Sequence, residues 1–207
     1  MHAVNTLRRD RRGFTLIELM IGLAILSFLL GIGVPSMRSW LTSSSAMAAS
    51  EFYAEGLRLA RAEAVKRNAA TRLVLTQNAN KQLDWQVDLC MPTPAVDCDN
   101  ASGVWSTVTE TNGSPNAADF KSVQRSASNL PAASVMTLTR SPATATEVYF
   151  TPLGWVDGTV PGSLTSIGLA PVQANAFPTA AVVVTLAGVV TKCNPTVAQS
   201  DSRSCPP

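Results

Sequence analysis

The chain has 207 residues, 46% of them hydrophobic and only 14% charged, where soluble domains carry about 25% charged residues. With 16 basic and 14 acidic residues the net charge is +2, which excludes a strongly basic nucleic-acid binder and an acidic disordered chain. The only histidine is His2, so the chain beyond its first residues holds no Ser-His-Asp triad, Cys-His dyad or His-ligated metal.

The N-terminus carries Arg8, Arg9, Arg11 and Arg12 against one acid, Asp10. An apolar run of 21 residues follows, from Phe14 to Val34; its single charge is Glu18, and Pro35 closes it. At about 1.5 Å per residue, a helix of that length crosses a ~30 Å hydrocarbon core. The flanking arginines predict a cytoplasmic N-terminus and an outward-facing remainder, a single pass through the cell inner membrane. An ordinary secretory signal has an apolar region of about 7–15 residues ending near an A-x-A site. Here Ala46-Met47-Ala48 is the nearest such site, well past Val34 and beyond Arg38 and Trp40; release after Ala48 would give a soluble periplasmic binding protein. Arg11-Arg12-Gly13-Phe14 has the look of a twin-arginine signal, but Glu18 sits awkwardly inside the apolar core of one.

Gly13-Phe14-Thr15-Leu16-Ile17-Glu18, followed by a continuous apolar helix and Pro35, resembles the processing site of type IV prepilins and type II secretion pseudopilins. The resemblance implies a leader of residues 1–13, cut between Gly13 and Phe14 by the prepilin peptidase, which then N-methylates the new amine. It implies as partners other pilins or pseudopilins and the inner-membrane assembly platform, with Glu18 and Pro35 as assembly residues. Glu18 has two readings. It lies near the end of the apolar run, where a carboxylate can snorkel to the interface. The resemblance implies instead that it pairs with the Phe14 amine of a neighbouring subunit, relieving a cost of roughly 2.5–3.5 kcal/mol for a lone carboxylate in hydrocarbon. Loss of residues 1–13 lowers the basic count from 16 to 12 and the acidic count from 14 to 13. The apparent basicity is therefore mostly leader.

After Pro35 the chain stays helix-friendly to about Asn68. Leu41, Ser45, Ala48, Ala49, Phe52, Tyr53, Gly56, Leu57, Ala60 and Ala64 form one helical stripe, and Glu55 with Arg58 and Glu63 with Arg67 have supporting spacing. The predicted helix runs from about 14 to 68: a membrane and assembly half over 14–35, then an amphipathic half over 36–68. Gly31, Gly33 and Pro35 mark a bend or soft spot. Ala60-Arg61-Ala62-Glu63-Ala64-Val65-Lys66-Arg67 resembles a stretch of the GspH/FimT branch of minor pilins and pseudopilins, and Val148–Gly154 and Val182–Val190 resemble its strand-and-turn and last hairpin.

From Thr71 the pattern is β. Short Val- and Thr-rich strands are predicted over 71–77, 82–89, 104–109, 135–139, 147–151, 166–169, 181–186 and 189–192, with a hairpin turn at 77–81 and loops at 91–103 and 110–119. One long helix followed by strands reads as an α+β fold, a pilin-like helix packed on an antiparallel β-rich periplasmic domain over 69–207.

The four cysteines, Cys90, Cys98, Cys193 and Cys205, allow three pairings. The most economical joins Cys90 to Cys98 and Cys193 to Cys205, each closing a short loop, and the outward-facing compartment favours disulfides. A four-thiolate zinc site is the alternative, although structural zinc sites usually show closer cysteine pairs. No catalytic constellation is visible, and neither a cofactor nor a metal is expected. Asp84 and Asp88 share one face of a strand, and Asp97 and Asp99 flank Cys98. Some FimT-type pilins resemble DNA receptors that use a Gly-Arg-x-Arg stretch in the last hairpin. The matching residues here are Gly188-Val189-Val190-Thr191, leaving Lys192 and Arg203 as the remaining cations, too few for phosphate binding. The sequence thus reads as a structural subunit of a pilus or secretion pseudopilus, not an enzyme, with a DNA-binding pilin and a soluble binding protein as the alternatives.

Overall fold

A computed structural model describes residues 15–91, 98–99, 102–108 and 121–206. The fold is α+β: a long helix α1 (Leu16–Arg67) precedes nine strands. These are β1 (Thr71–Gln77), β2 (Leu83–Met91), β3 (Val104–Trp105), β4 (Val123–Arg125), β5 (Met136–Ser141), β6 (Glu147–Phe150), β7 (Ser166–Pro171), β8 (Ala180–Val184) and β9 (Val190–Cys193). The chain divides into two compact units after Trp40. The helical run continues through Gly31, Gly33 and Pro35, where the sequence predicted a soft spot.

In the first unit every side chain described from Thr15 to Trp40 is exposed. The large apolar ones stand open, from Leu16 at 77% through Phe28 at 69% to Val34 at 42%. Among the described residues no helix is long and apolar enough to cross a membrane; in the sequence the apolar run extends from Phe14 to Val34.

The second unit holds every buried side chain among the described residues. Two antiparallel sheets form it. One is ordered β3-β2-β1-β6, with β4 also paired to β2; the other is ordered β5-β7-β8-β9. Alternation along β1 points Thr71, Leu73 and Leu75 inward, and the hairpin register sets them opposite Leu89, Val87 and Trp85. That inner layer meets a stripe of α1 made of Ala46, Ala49, Tyr53, Ala54, Leu57, Ala60 and Ala64, all buried. The alanines let the helix lie close to the sheet. The stripe is rotated at its lower end from the one expected: Leu41, Ser45 and Ala48 are exposed, and Ala46 and Ser50 are buried instead.

Hydrogen bonds to backbone carbonyls latch the helix to this sheet. Tyr53 Oη donates to Leu83 O (3.0 Å), Trp85 Nε1 to Phe52 O (2.9 Å) and Thr71 Oγ1 to Ala60 O (2.8 Å). Ile167, Leu169, Val182 and Val184 of the second sheet complete the same core.

Strand β4 was not expected. Its three residues are all exposed and show no alternation. β3 and β4 both run antiparallel along one edge of β2, β3 opposite Cys90 and Met91 and β4 opposite residues 85–87. They lie along the same edge of β2 as two separate pieces of an edge strand. For the same reason the strand expected over 104–109 stops at Trp105.

Candidate functional site

The N-terminal motif is the first candidate. Gly13 and Phe14, the expected processing site, lie outside the described residues. Thr15 opens α1, and its N–H and Oγ1 both donate to Glu18 Oε2 at 3.1 Å, while the Glu18 N–H donates back to Thr15 Oγ1 at 3.3 Å. This is a capping box, Ser/Thr-x-x-Glu at a helix start. The sequence reading assigned Glu18 to assembly and missed its local partner, although Thr15-Leu16-Ile17-Glu18 carries that signature. Among the described residues Glu18 Oε1 has no partner. Pro35 sits inside the helical run.

The cysteines pair as the economical reading expected: Cys90 with Cys98, Cα atoms 6.1 Å apart, and Cys193 with Cys205, Cα atoms 4.8 Å apart. No free cysteine remains. Among the described residues no group of three or more His, Cys, Asp or Glu side chains is arranged to hold a metal.

The two cations left for nucleic acid both face carboxylates. Lys192 Nζ donates to Glu51 Oε2, and Arg58 binds Glu51 Oε1 at 2.7 Å. These two hydrogen bonds, Lys192 first, hold Glu51 below the usual carboxylate range. Arg203 grips Asp201 through Nε at 3.1 Å and Nη2 at 2.7 Å. That grip, with the Arg203 N–H, pushes Asp201 down to about 2. Lys192 ties the last strand to α1, and Arg203 closes the C-terminal turn.

The turn before β9 meets the turn after β6 on the helix. Arg61 Nε donates to Gly154 O at 3.1 Å, and a Cβ on Gly188 would lie 2.0 Å from that same oxygen. The glycines of the two turns that resemble the GspH/FimT branch therefore let the two turns approach backbone to backbone beneath the Arg61 side chain of the helix.

Asp84, Asp88 and Asp99, singled out in the sequence, each hold local structure. Asp84 Oδ1 accepts from Asn78 Nδ2 (2.9 Å) and the Ala127 N–H (2.7 Å). Asp97 lies outside the described residues, and Asp99 Oδ1 accepts the Ser102 N–H at 2.7 Å. Asp88, 1% exposed, is the centre of a polar knot on the outer face of the first sheet. Arg72 Nε donates to its Oδ2 at 2.9 Å, and Gln86 Nε2 (2.6 Å) and Ser122 Oγ (2.7 Å) donate to its Oδ1. Ser122 Oγ lies 2.8 Å from Ser106 Oγ, which accepts the Leu89 N–H at 2.9 Å. Arg72 also lies 4.6 Å over the Trp105 ring, and Tyr149 donates its hydroxyl to Glu147. Through Ser106 and Ser122 the knot fastens the residue after β3 to the residue before β4.

Both tyrosines of the chain titrate high. Burial raises Tyr53. Burial and the Glu147 hydrogen bond push Tyr149 up to about 12. A phenol whose folded pKa is raised contributes stability that is complete below its unfolded value, about 10, and is lost as pH rises through the folded value. An ultraviolet titration of the native protein should show little tyrosinate at pH 10, and stability should fall between about pH 10 and 12. A native midpoint near 10 would contradict the packing of both rings.

Comparison with protein families agrees with this architecture. The model of the prokaryotic N-terminal methylation motif matches residues 8–34, and that of type II transport protein GspH matches residues 48–188. No curated protein and no solved structure matches the chain. The first match covers the arginines, the expected processing site and the apolar stem; the second begins where α1 meets the core and ends at Gly188. The chain belongs to the family of type II transport protein GspH, the pseudopilins of type II secretion and related pilin-like systems.

Proposed function

We propose that this chain is a structural subunit of a secretion pseudopilus or type IV pilus. Prepilin peptidase removes residues 1–13 and methylates the amine of Phe14. The apolar stem from Phe14 to Val34 spans the inner membrane, about 30 Å at ~1.5 Å per residue, and the domain from Leu41 onward faces the periplasm. The stem then passes into the filament core, where it packs against the stems of other pilins or pseudopilins. The chain performs no catalytic step; its work is assembly.

One observation carries this reading. The described side chains of the stem find no burial within the chain, and Leu16, Phe28 and Leu30 are 77%, 69% and 54% exposed. So much continuous apolar surface needs a partner outside the molecule, first lipid and then neighbouring stems. Glu18 fits the same account. Its Oε2 caps its own helix through Thr15, and its Oε1 is open to a neighbour's Phe14 amine.

Glu18→Ala should leave the protein in the membrane fraction and lower its incorporation into filaments by about tenfold or more, the equivalent of one charge-assisted pairing. Thr15→Ala removes the cap but keeps the carboxylate, and should incorporate nearly as wild type. The measurement is the ratio of sheared-filament to membrane protein by immunoblot. Unchanged incorporation of Glu18→Ala, or equal losses for the two variants, would refute the pairing.

A further inference from the structure

Strand β5 is an outer strand of its sheet, paired with β7 alone. In an antiparallel strand both backbone groups of a residue point to the same side, alternating along the chain. The Val172 N–H donates to Val135 O (3.0 Å) and the Thr165 N–H to Ser141 O (2.8 Å), so the odd-numbered residues face the β7 side. Leu138 and Arg140 therefore turn their N–H and C=O to the open edge, where no described residue bonds them. Met136 alone spends its outward N–H, on Ala132 O at 3.0 Å.

A groove of about 270 Å³ runs between β5 and the β1–β2 turn. Gln77 and Lys81 line it from the turn, and Met136, Leu138 and Arg140 from β5; no residue of β7 lines it. Its two charged residues are both cations. Neither Lys81 nor Arg140 forms an ion pair among the described residues, whereas Arg58, Arg72, Arg125, Lys192 and Arg203 each meet a carboxylate. An open edge supplies main-chain affinity for an added strand, and the groove beside it sets side-chain preference.

We propose that the open edge of β5 binds an extended acidic segment of a partner protein as an added strand, with alternate carboxylates facing Lys81 and Arg140. The free backbone groups of Leu138 and Arg140 extend the ladder. The two unpaired cations select the sign of the partner's charge. A charge on an edge strand also guards against edge-to-edge pairing, and the test separates the two roles.

The experiment is fluorescence anisotropy on the full-length protein in detergent micelles, with a blocked, dye-labelled peptide that alternates threonine and glutamate. Saturable binding is expected. It should weaken about tenfold when lysine replaces glutamate in the peptide, and about tenfold in the Lys81→Ala, Arg140→Ala double variant. Methylating alternate peptide amides should abolish binding in one register and spare it in the other, a result that leaves the protein unaltered. No saturation at millimolar peptide, equal binding of the lysine peptide, or indifference to methylation in both registers would overturn the proposal. Self-association of Arg140→Ala without peptide binding by the wild type would assign Arg140 to guarding the edge and would also overturn it.

Discussion

Asp88→Ala should lower the stability of residues 41–207 by roughly 3–5 kcal/mol, the usual cost of breaking a buried ion pair from one side. For a domain whose total stability is about 5–15 kcal/mol, that is a large fraction. Asp88 is 1% exposed and serves three side-chain donors, Arg72, Gln86 and Ser122. Its removal leaves the partly buried Arg72 guanidinium with the Trp105 ring, the Tyr149 side chain and Glu147, the last at 3.9 Å. It also leaves Ser122 without its acceptor, and with Ser122 goes the Ser106 bond that fastens the interrupted edge strand to β2. Asp88→Asn keeps the shape and one acceptor oxygen and should cost less. Urea unfolding with both disulfides intact measures both variants. A loss below about 1 kcal/mol for Asp88→Ala, the level of an exposed pair, would show that the knot does not hold the edge.

Gly188→Ala should cost roughly 2–5 kcal/mol, and Gly162→Ala only about 1–2 kcal/mol. The backbone angles are nearly identical, φ +72° at Gly188 and +74° at Gly162. Both substitutions therefore carry the same left-handed strain. The surroundings differ. A Cβ at Gly162 meets nothing within 4 Å, whereas at Gly188 it would lie 2.0 Å from Gly154 O, a backbone atom that also holds Arg61. Relief requires the two turns to separate and the Arg61 hydrogen bond to break. The difference between the two variants, read from urea unfolding, isolates the contact from the strain. Equal losses would mean that the two turns do not meet as closely as described.

Much of this architecture was legible because it rests on local signals. The switch from helical to two-residue periodicity falls between Asn68 and Thr71 in the sequence and in the structure. β1 has the bounds expected of it. Asn78 forms the hairpin turn with its own side chain, Oδ1 accepting the N–H groups of Asn80 and Gln82, as such turn residues do. The two disulfides join the cysteines nearest in sequence.

What stayed hidden is non-local. Ser106 and Ser122 are ordinary serines 16 residues apart, and only the edge of β2 brings them together. Arg72 opposite Asp88 is a partial exception: a turn centred on Asn80 sets that register, so the ion pair was available from the hairpin. Thr15 was overlooked for a different reason. The same four residues serve as a helix cap and as part of the processing motif, and the second reading masked the first. The lower end of the α1 stripe shifted because Ala, Ser and Met near Ala46 give little hydrophobic contrast from which to assign a face.

The central claim is that the apolar stem begins the mature chain and is retained as the means of assembly. The most direct measurement is the intact mass of the protein recovered from sheared filaments. The account predicts a chain that begins at Phe14, carries one methyl group on its N-terminus and has both disulfides closed. A mature chain beginning beyond the stem, or filaments that form normally around a chain still beginning at Met1, would contradict it.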